Sequence, residues 1–374
     1  MVKYPYSTNK TKIRNMRPKI LALYLPQFHP FPENDEWWGK GFTEWTNVGK
    51  AERLFKGHYQ PRVPSELGYY DLRLPVVREQ QAELAKEAGV TAFCYWHYWF
   101  GNGKQLMENI FNEVLESGKP DFPFCLAWAN HTWRAVGCTA GNYDPRILIE
   151  QTYPGVEDAK MHFNYLLKAF RDERYVKIDG KPYLFIYDSV TLPQLYIDNF
   201  KKWTIEAGFP DLFIVANVNN RDIPKETLLD KGFDAVCYCN LSPHESFSEK
   251  VFKNIKSRIL QRPKNLYDYK ILDKILITDA ENSSNVIPQI VPQWDHSPRL
   301  GNKSFILKNA SPEKFAKHVR HALEAIKNKP EEQQIIMLKS WNEWAEGNYM
   351  EPDLKFGRGY INALREVLDE YKNK

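Results

Sequence analysis

The feature that most constrains the fold of this chain is the alternation of short apolar runs with longer polar segments of helical character. Runs such as 20–25 and 183–187 are almost continuously apolar, which is typical of parallel strands buried on both faces. The runs interpreted as strands span 20–25, 91–96, 124–128, 183–188, 213–218, 235–239, 290–294 and 335–341. The predicted helices span 74–88, 104–116, 156–170, 192–207, 225–231, 247–275 with an interruption, 312–327 and about 360–371. Repeated βα units of this number predict a (β/α)8 TIM barrel, although strand number alone also allows an open, doubly wound sheet.

The residues that follow the predicted strands favour the barrel. Almost every strand ends in an aromatic or hydrogen-bonding residue, and barrel active sites lie at the carboxyl ends of the strands. The residues at these ends that we expect to bind substrate are Tyr24, Gln27, Tyr95, Trp96, His97, Tyr98, Trp99, Trp128, Asn130, Asp188, Asn217, Trp294, Trp341 and Asn342. Tyr24 could equally pack inside the barrel. His97 could equally have a structural role, hydrogen-bonded to backbone.

Two predicted connections, 26–70 and 242–286, are too long to be plain loops. The first mixes aromatic and polar residues, and we expect its Trp45 and Asn47 to bind substrate. Aromatic residues make up 14% of the chain, and many of its 11 tryptophans lie beside polar residues. Flat apolar rings next to hydrogen-bonding groups suit sugars, so we predict long loops over the C-terminal face and an oligosaccharide or polysaccharide substrate.

A pair of glutamates, Glu343 and Glu346, follows the eighth predicted strand. Glycosidic bond cleavage needs one carboxyl group that donates a proton and a second that assists attack at the sugar carbon. On a helical turn, residues three apart share one side, which favours the separation of about 5–5.5 Å found in retaining enzymes. Two carboxyl groups this close have different pKa values. We therefore predict Glu343 and Glu346 as the catalytic pair, and interpret Glu351 and Asp353 as capping or surface residues.

Charge and motif content argue against several other functions. The chain has 51 Lys+Arg and 47 Asp+Glu without a block of like charge, so we expect no nucleic-acid partner. It has no phosphate-binding loop, dinucleotide fingerprint or metal-ligand spacing, so we expect no cofactor and no metal. We predict a single barrel domain over 1–374 with an N-terminal arm at 1–17, and the oligomeric state stays open.

The cysteines and the apolar runs bear on localisation. The five cysteines, at positions 94, 125, 138, 237 and 239, are odd in number and read as reduced core thiols. No stretch has the pattern of a signal peptide or the roughly 20 apolar residues of a transmembrane helix. We therefore expect a cytoplasmic protein.

Several segments resemble the WbsX family of bacterial surface-polysaccharide gene clusters, whose members are commonly labelled glycosyltransferases. The segments are 24–29 (YLPQFH), 37–47 (WWGKGFTEWTN), 58–61, 68–72, 95–100 and 341–353. That family is similar to glycoside hydrolase family 99, the endo-α-mannosidases and endo-α-mannanases, which are (β/α)8 barrels. Their Asn-Glu-Trp-x-Glu-Gly arrangement matches 342–347.

The resemblance to family 99 implies roles for the two glutamates. Glu343 would be the general base and Glu346 the general acid. The base would deprotonate the 2-hydroxyl of the sugar, which attacks its own anomeric carbon, and water would then open the resulting 1,2-anhydro sugar.

The leading hypothesis is a metal-independent, retaining, endo-acting glycoside hydrolase or transglycosylase that acts on a bacterial polysaccharide. One alternative is a WbsX-type glycosyltransferase of lipopolysaccharide, O-antigen or capsule biosynthesis. A second is a non-catalytic glycan-binding barrel, which would keep the tryptophans and tolerate loss of the glutamates. The sugar, its linkage and the choice between hydrolysis and transfer stay open.

Overall fold

A nearly closed parallel barrel forms the centre of the computed structural model, which describes residues 18–135, 146–260 and 262–373. Its strands are β1 (Lys19–Tyr24), β2 (Ala92–Trp99), β3 (Phe124–Trp128), β4 (Lys181–Ile186), β5 (Phe213–Val218), β6 (Ala235–Tyr238), β7 (Gln289–Ile290) and β8 (Ile335–Leu338). Parallel pairing runs in order from β6 down to β1, then to β8 and β7. A parallel bridge between Val236 and Val286 joins β6 to the segment that leads into β7. The predicted (β/α)8 barrel is confirmed.

Helices cover the barrel and fill its long connections. They are α1 (Pro32–Trp38), α2 (Glu44–Gly49), α3 (Pro75–Ala88), α4 (Glu108–Ser117), α5 (Val156–Phe170), α6 (Gln194–Glu206), α7 (Lys225–Asp230), α8 (Phe247–Leu260), α9 (Leu272–Ile275), α10 (Ser297–Leu300), α11 (Pro312–Ile326) and α12 (Gly359–Lys372). Short strands outside the barrel are Gln105–Leu106, Trp133–Arg134, Ile147–Ile149, Lys177–Ile178, Asn265–Asp268, Phe305–Lys308, Asn342–Glu343 and Asn348–Tyr349. Turns of 3-10 helix lie at Tyr269–Ile271, Asp279–Asn282, Gly301–Lys303, Glu331–Gln333 and Trp344–Glu346.

The interrupted helix predicted over 247–275 is two helices with a strand between them. α8 ends at Leu260, Asn265–Asp268 is extended and pairs with Phe305–Lys308, and α9 follows. Pro263 explains the break, because proline has no backbone N–H to donate and disfavours helical geometry in the residue before it.

The strands are buried because both of their faces are covered, one by the barrel interior and the other by helices. Leu21, Ala22 and Leu126 have no exposed surface. The four described cysteines, Cys94, Cys125, Cys237 and Cys239, are free and buried, while the fifth, Cys138, lies outside the described residues. The N-terminal arm also lies outside them, and the one-domain organisation stays a prediction. No helix within the described ranges is long and apolar enough to cross a membrane.

Two barrel strands are shorter than predicted. β7 has only two residues, and β8 ends at Leu338, where its apolar run also ends, since Lys339 and Ser340 precede Trp341. The chain leaves the regular ladder there: the Trp341 backbone N–H donates to the Leu23 carbonyl at 2.8 Å, and the Ser340 N–H donates to the Asn348 side chain at 3.0 Å. The segment after β8 is therefore fixed by individual hydrogen bonds.

Candidate active site

A cavity of about 740 Å³ lies at the carboxyl ends of the barrel strands, and the first long connection forms part of its wall. Seven of the predicted site residues line it: Gln27, Asn47, Trp96, Tyr98, Trp294, Glu343 and Glu346. Its wall also contains polar and charged residues outside that predicted set: Asn34, Glu44, His131, Arg134, Asn219, Asn240, His296, Arg299 and Lys339. Aromatic faces and hydrogen-bonding groups thus alternate around a space of the size usual for ligand pockets.

Glu343 and Glu346 are held by a tight hairpin that follows β8. Asn342–Glu343 pairs antiparallel with Asn348–Tyr349, and between them Trp344–Glu346 forms one turn of 3-10 helix. The predicted helical arrangement of the two glutamates is therefore wrong in part, since the turn begins only after Glu343. The short antiparallel pairing explains this, because Glu343 pairs with Asn348 and stays outside the helical turn.

The hairpin is anchored at both ends. The Asn342 side chain accepts from the Leu25 N–H at 2.7 Å and donates to the Leu25 carbonyl at 3.0 Å, which fixes the start of the hairpin to the end of β1. At the other end Gly347 has a φ of 54°, and a Cβ there would lie 2.7 Å from the Cβ of Asp295. Glycine is required at this position by both backbone conformation and space. The Asp295 N–H also donates to the Glu346 carbonyl at 2.7 Å.

One guanidinium contacts three carboxylates at this site. Arg299 donates from Nη1 to Glu346 Oε1 at 2.6 Å and from Nη2 to Glu44 Oε2 at 2.9 Å. The same Nη2 lies 3.8 Å from Glu343 Oε2. Arg299 belongs to α10 after β7, and Glu44 to α2 in the first long connection. Arg299 therefore ties these two segments to the hairpin that carries the glutamate pair.

The two glutamates differ in protonation. Burial, followed by the charge of Glu346, raises the pKa of Glu343 to about 8. Burial would raise the pKa of Glu346 as well, but Arg299, His296 and Lys339 outweigh it and hold that pKa below its ordinary value. At neutral pH Glu343 is therefore protonated and Glu346 ionised. The resemblance to family 99 implies the other distribution, with the base at Glu343 and the acid at Glu346.

Behind the hairpin lies a buried carboxyl group, Glu351. It accepts hydrogen bonds from Trp344 Nε1 at 2.6 Å, Gln81 Nε2 at 2.6 Å and the Tyr70 hydroxyl at 2.9 Å. Burial raises its pKa to about 7. The interpretation of Glu351 as a capping or surface residue is wrong, because its side chain links the hairpin to α3 and to the first long connection.

Four aromatic residues predicted to bind substrate are packed in the core instead of lining the cavity. Tyr24, Tyr95, Trp128 and Trp341 are each at most 2% exposed. The Tyr24 hydroxyl donates to Gln81 Oε1 at 2.7 Å, so its polar atom is satisfied within the core. These rings fill the barrel and the layer under its helices, which needs large side chains as much as a sugar site does.

His97 and Trp99 also point away from the cavity, although they lie on β2 together with the lining residues Trp96 and Tyr98. His97 is hydrogen-bonded to His162 at 2.8 Å, and burial lowers its pKa to about 3. Trp99 donates to the Asp158 carboxylate at 3.2 Å. Alternate residues of a strand face opposite sides, so Trp96 and Tyr98 reach the cavity while His97 and Trp99 lie under α5.

The other predicted residues outside the cavity wall support loop backbones. Asn130 donates to the Asp188 carbonyl at 2.8 Å and accepts from its N–H at 2.8 Å, so neither residue lines the cavity. Asn217 donates to the Tyr187 carbonyl at 3.0 Å. Asn342 bonds to backbone as described above, and Trp45 donates to the Tyr70 carbonyl at 2.7 Å. Each of these residues bonds to a backbone group of a neighbouring segment and lies outside the cavity wall.

The cationic or titratable wall residues missed by sequence reasoning include His296, Arg299 and Lys339. In the described part of the chain, the Lys339 ammonium has no hydrogen bond or ion pair, and it lies 4.8 Å from the centre of the Trp294 ring. A lysine directly after the apolar run of β8 was the signal that could have found it. His296 and Arg299 had no comparable local signal.

Comparisons with known proteins define the family of the chain. The model of the family described as "Glycosyltransferase WbsX" matches residues 20–364. The chain is also 34% identical over 358 residues to WxcX, an uncharacterized protein of Xanthomonas campestris pv. campestris. That alignment covers 93% of this chain and 49% of WxcX, so the chain spans about half the length of the curated relatives it matches.

Solved structures with the same architecture include glycoside hydrolases. A glycoside hydrolase-like protein superposes with a TM-score of 0.59 at 16% identity, over 98% of this chain and 97% of that one. The family 99 endo-alpha-mannosidase from Bacteroides thetaiotaomicron superposes with a TM-score of 0.57 at 14% identity, over 94% of this chain and 97% of that one. At these identities the likeness shows a shared barrel fold.

Proposed function

The chain belongs to the WbsX glycosyltransferase family, and we propose that it acts on glycosidic bonds of a bacterial surface polysaccharide or its precursor. The proposal places the reaction at Glu343 and Glu346, with one acting as acid and the other as base. The observation that carries it is the pair itself: a buried carboxyl group, Glu343, and a half-buried one, Glu346, with opposite pKa shifts in one aromatic-lined cavity. One protonated and one ionised carboxyl group supply the proton donor and the proton acceptor that glycosidic bond cleavage needs.

Protonation in the ligand-free chain favours Glu343 as the proton donor. As the bond between the anomeric carbon and the departing oxygen breaks, Glu343 gives its proton to that oxygen. Glu346, already a carboxylate, takes the proton of the attacking hydroxyl. That hydroxyl belongs either to the 2-position of the same sugar, as in the 1,2-anhydro route, or to water or an acceptor sugar. Arg299 holds Glu346 ionised for this step.

The cavity wall supports a sugar ligand. Trp96, Tyr98 and Trp294 offer ring faces for the C–H surfaces of sugar rings, and Gln27 and Asn47 offer amides for hydroxyl groups. We propose endo action, in which the enzyme acts on bonds within a glycan chain. The long connections at the C-terminal face of the barrel are compatible with it. The sugar itself is not fixed by these contacts.

The proposal is tested with Glu343→Gln and Glu346→Gln, which keep the shape of each side chain and remove its charge. Both are incubated with the surface polysaccharide of the source organism, and products are identified by mass spectrometry. We expect turnover to fall by about 10²–10⁴-fold while glycan binding is retained. Glu324→Gln, at an exposed ion pair with Lys327, is the matched control and should keep full activity. Full activity in either site variant would exclude the assignment.

Synthesis in place of cleavage is the second candidate, because the family is described as glycosyltransferase. The same acid and base would then serve transfer to a sugar hydroxyl. Titration of the wild-type chain with sugar nucleotides, with and without a divalent metal, separates the two: saturable binding favours transfer from a nucleotide donor. If the wild-type chain binds glycan but forms no new product under any of these conditions, the barrel is a binding protein.

A further inference from the structure

The helix α8, in the connection between β6 and β7, has an unusual orientation. None of its residues is buried. Its two half-buried residues, Lys253 and Ser257, are four positions apart and so share one side. Lys253 donates to Glu245 Oε1 at 2.6 Å and to the Tyr267 hydroxyl, while Ser257 donates to the Arg262 carbonyl at 2.6 Å. The helix therefore rests on the protein through its polar side.

The apolar side of α8 points the other way. Phe247, Val251, Ile255 and Ile259 recur every four residues, and Val251, Ile255 and Ile259 are each offset by two positions, about 200° around the helix, from Lys253 or Ser257. The exposed fractions of the apolar residues are 83% for Phe247, 40% for Val251, 66% for Phe252, 53% for Ile255, 73% for Ile259 and 51% for Leu260. An amphipathic helix normally buries such a stripe against the core. Here the stripe faces outward, so it is available to a partner.

The charge around this stripe selects the kind of partner. Between positions 247 and 264 the chain has one acid, Glu249, and six cations. Lys253 pairs with Glu245 on the inner side of the helix, which leaves Lys250, Lys256, Arg258, Arg262 and Lys264. An outward apolar stripe bordered by cations fits a surface that offers both an apolar layer and negative charge. A second copy of the same helix fits poorly, because it would bring two such cationic segments together.

We propose that α8 docks this protein on an anionic lipid bilayer, with the helix lying in the plane of the interface. Fourteen residues of helix extend about 21 Å, which is shorter than the roughly 30 Å hydrocarbon core, so the helix lies on the bilayer and does not span it. The phenylalanine, isoleucine, valine and leucine side chains enter the boundary of the acyl chains, and the bordering lysines and arginines pair with anionic headgroups.

α8 follows part of the cavity wall along the chain. Leu241 and Ser242, which line the cavity, lie in the same connection a few residues before the helix. The docking does not depend on the reaction proposed for the cavity.

The proposal is tested by co-sedimentation of the full chain with vesicles of phosphatidylcholine alone and of an equimolar mixture with phosphatidylglycerol. We expect binding to the mixed vesicles, weakened by salt, and little binding to phosphatidylcholine. Phe252→Ser combined with Ile255→Ser should abolish it. Lys250→Gln combined with Lys256→Gln should weaken it about 25-fold, at about fivefold for each cation removed.

Ile205→Ser is the matched control, because Ile205 on α6 is 54% exposed, close to the 53% of Ile255. It should leave vesicle binding unchanged. All the substituted side chains are exposed, so circular dichroism and thermal unfolding should match the wild type. The proposal is overturned if the wild-type chain does not bind the mixed vesicles, or if the Phe252 and Ile255 variant binds as well as wild type. It is also overturned if size-exclusion chromatography shows a dimer that the same variant disrupts, because a second copy then covers the stripe.

Discussion

Replacing Arg299 with methionine removes a cation that contacts Glu44, Glu343 and Glu346 together, while keeping a side chain of similar length. Removing one partner of a buried ion pair costs about 3–5 kcal/mol, because the other charge is left unpaired. The Arg299 side chain is 21% exposed and the Glu346 side chain 17%, so water reduces this cost to the lower end of the range. We expect the free energy of unfolding at pH 7 to fall by about 3 kcal/mol.

The effect of Arg299→Met should depend on pH with a defined sign. In the wild type the pKa of Glu346 lies below its ordinary value, so the ion pair contributes stability above the unfolded pKa of about 4.3. That contribution is lost as the pH falls through the folded pKa. In the variant, burial is no longer opposed by the guanidinium, and Glu346 takes up a proton at higher pH. The difference between the two proteins should therefore be largest near neutrality and shrink toward acid, by up to about 1.4 kcal/mol per pH unit.

Urea denaturation of wild type and Arg299→Met measures this difference in stability. Several pH values from about 4 to 8 are needed, because carboxyl groups with shifted pKa values titrate over about this range. Arg320→Met is the matched control, because Arg320 pairs with Glu370 at the surface, where the side chains are 46% and 49% exposed. It should change stability by less than about 1 kcal/mol at every pH. A loss for Arg299→Met as small as that of the control, or one that does not vary with pH, would refute the proposed charge network.

Three further outcomes are expected. Asn342→Ala should lower the free energy of unfolding by about 2–4 kcal/mol in a denaturant titration, because the buried N–H and carbonyl of Leu25 both lose their partner; a loss under about 0.5 kcal/mol would contradict this. Lys339→Met should raise KM for the glycan by about 10-fold or more in steady-state kinetics, since the ammonium faces the cavity beside the Trp294 ring and has no ion pair among the described residues; an unchanged KM would count against substrate contact. Activity should decline as the pH rises through about 8, the pKa to which burial raises Glu343, and a pH profile that stays flat to pH 9 (about one unit above that pKa) would show that the protonated form is not needed.

The barrel could be predicted from the sequence because its strands are buried on both faces and so appear as continuous apolar runs. β1 and β4 are found within two residues of their predicted starts. The predicted bounds differ most from the structure at β7 and β8; Trp341, for example, is fully buried but lies beyond the ladder. Apolar runs report burial, and burial extends further than regular strand pairing does.

The candidate site was predictable where its signal is local. Glu343 and Glu346 stand in one short motif, and Trp96 and Tyr98 alternate along β2. The aromatic signal also selected Trp128, which is fully buried, because a barrel core and a sugar site use the same large rings. Arg299 could not be predicted, since its contact with Glu44 joins positions 255 residues apart and depends on how two long connections fold.

The difference in pKa between Glu343 and Glu346 can be measured directly by NMR titration of glutamate side-chain carboxyl carbons in uniformly labelled protein. Burial raises the pKa of Glu343 to about 8, so we expect one carboxyl signal that titrates near this pH and that is absent from Glu343→Gln. Glu351, whose pKa is raised to about 7, gives a separate signal that Glu351→Gln removes. If no signal near 8 is found, or if it disappears in Glu346→Gln and persists in Glu343→Gln, the proposed division of acid and base is contradicted.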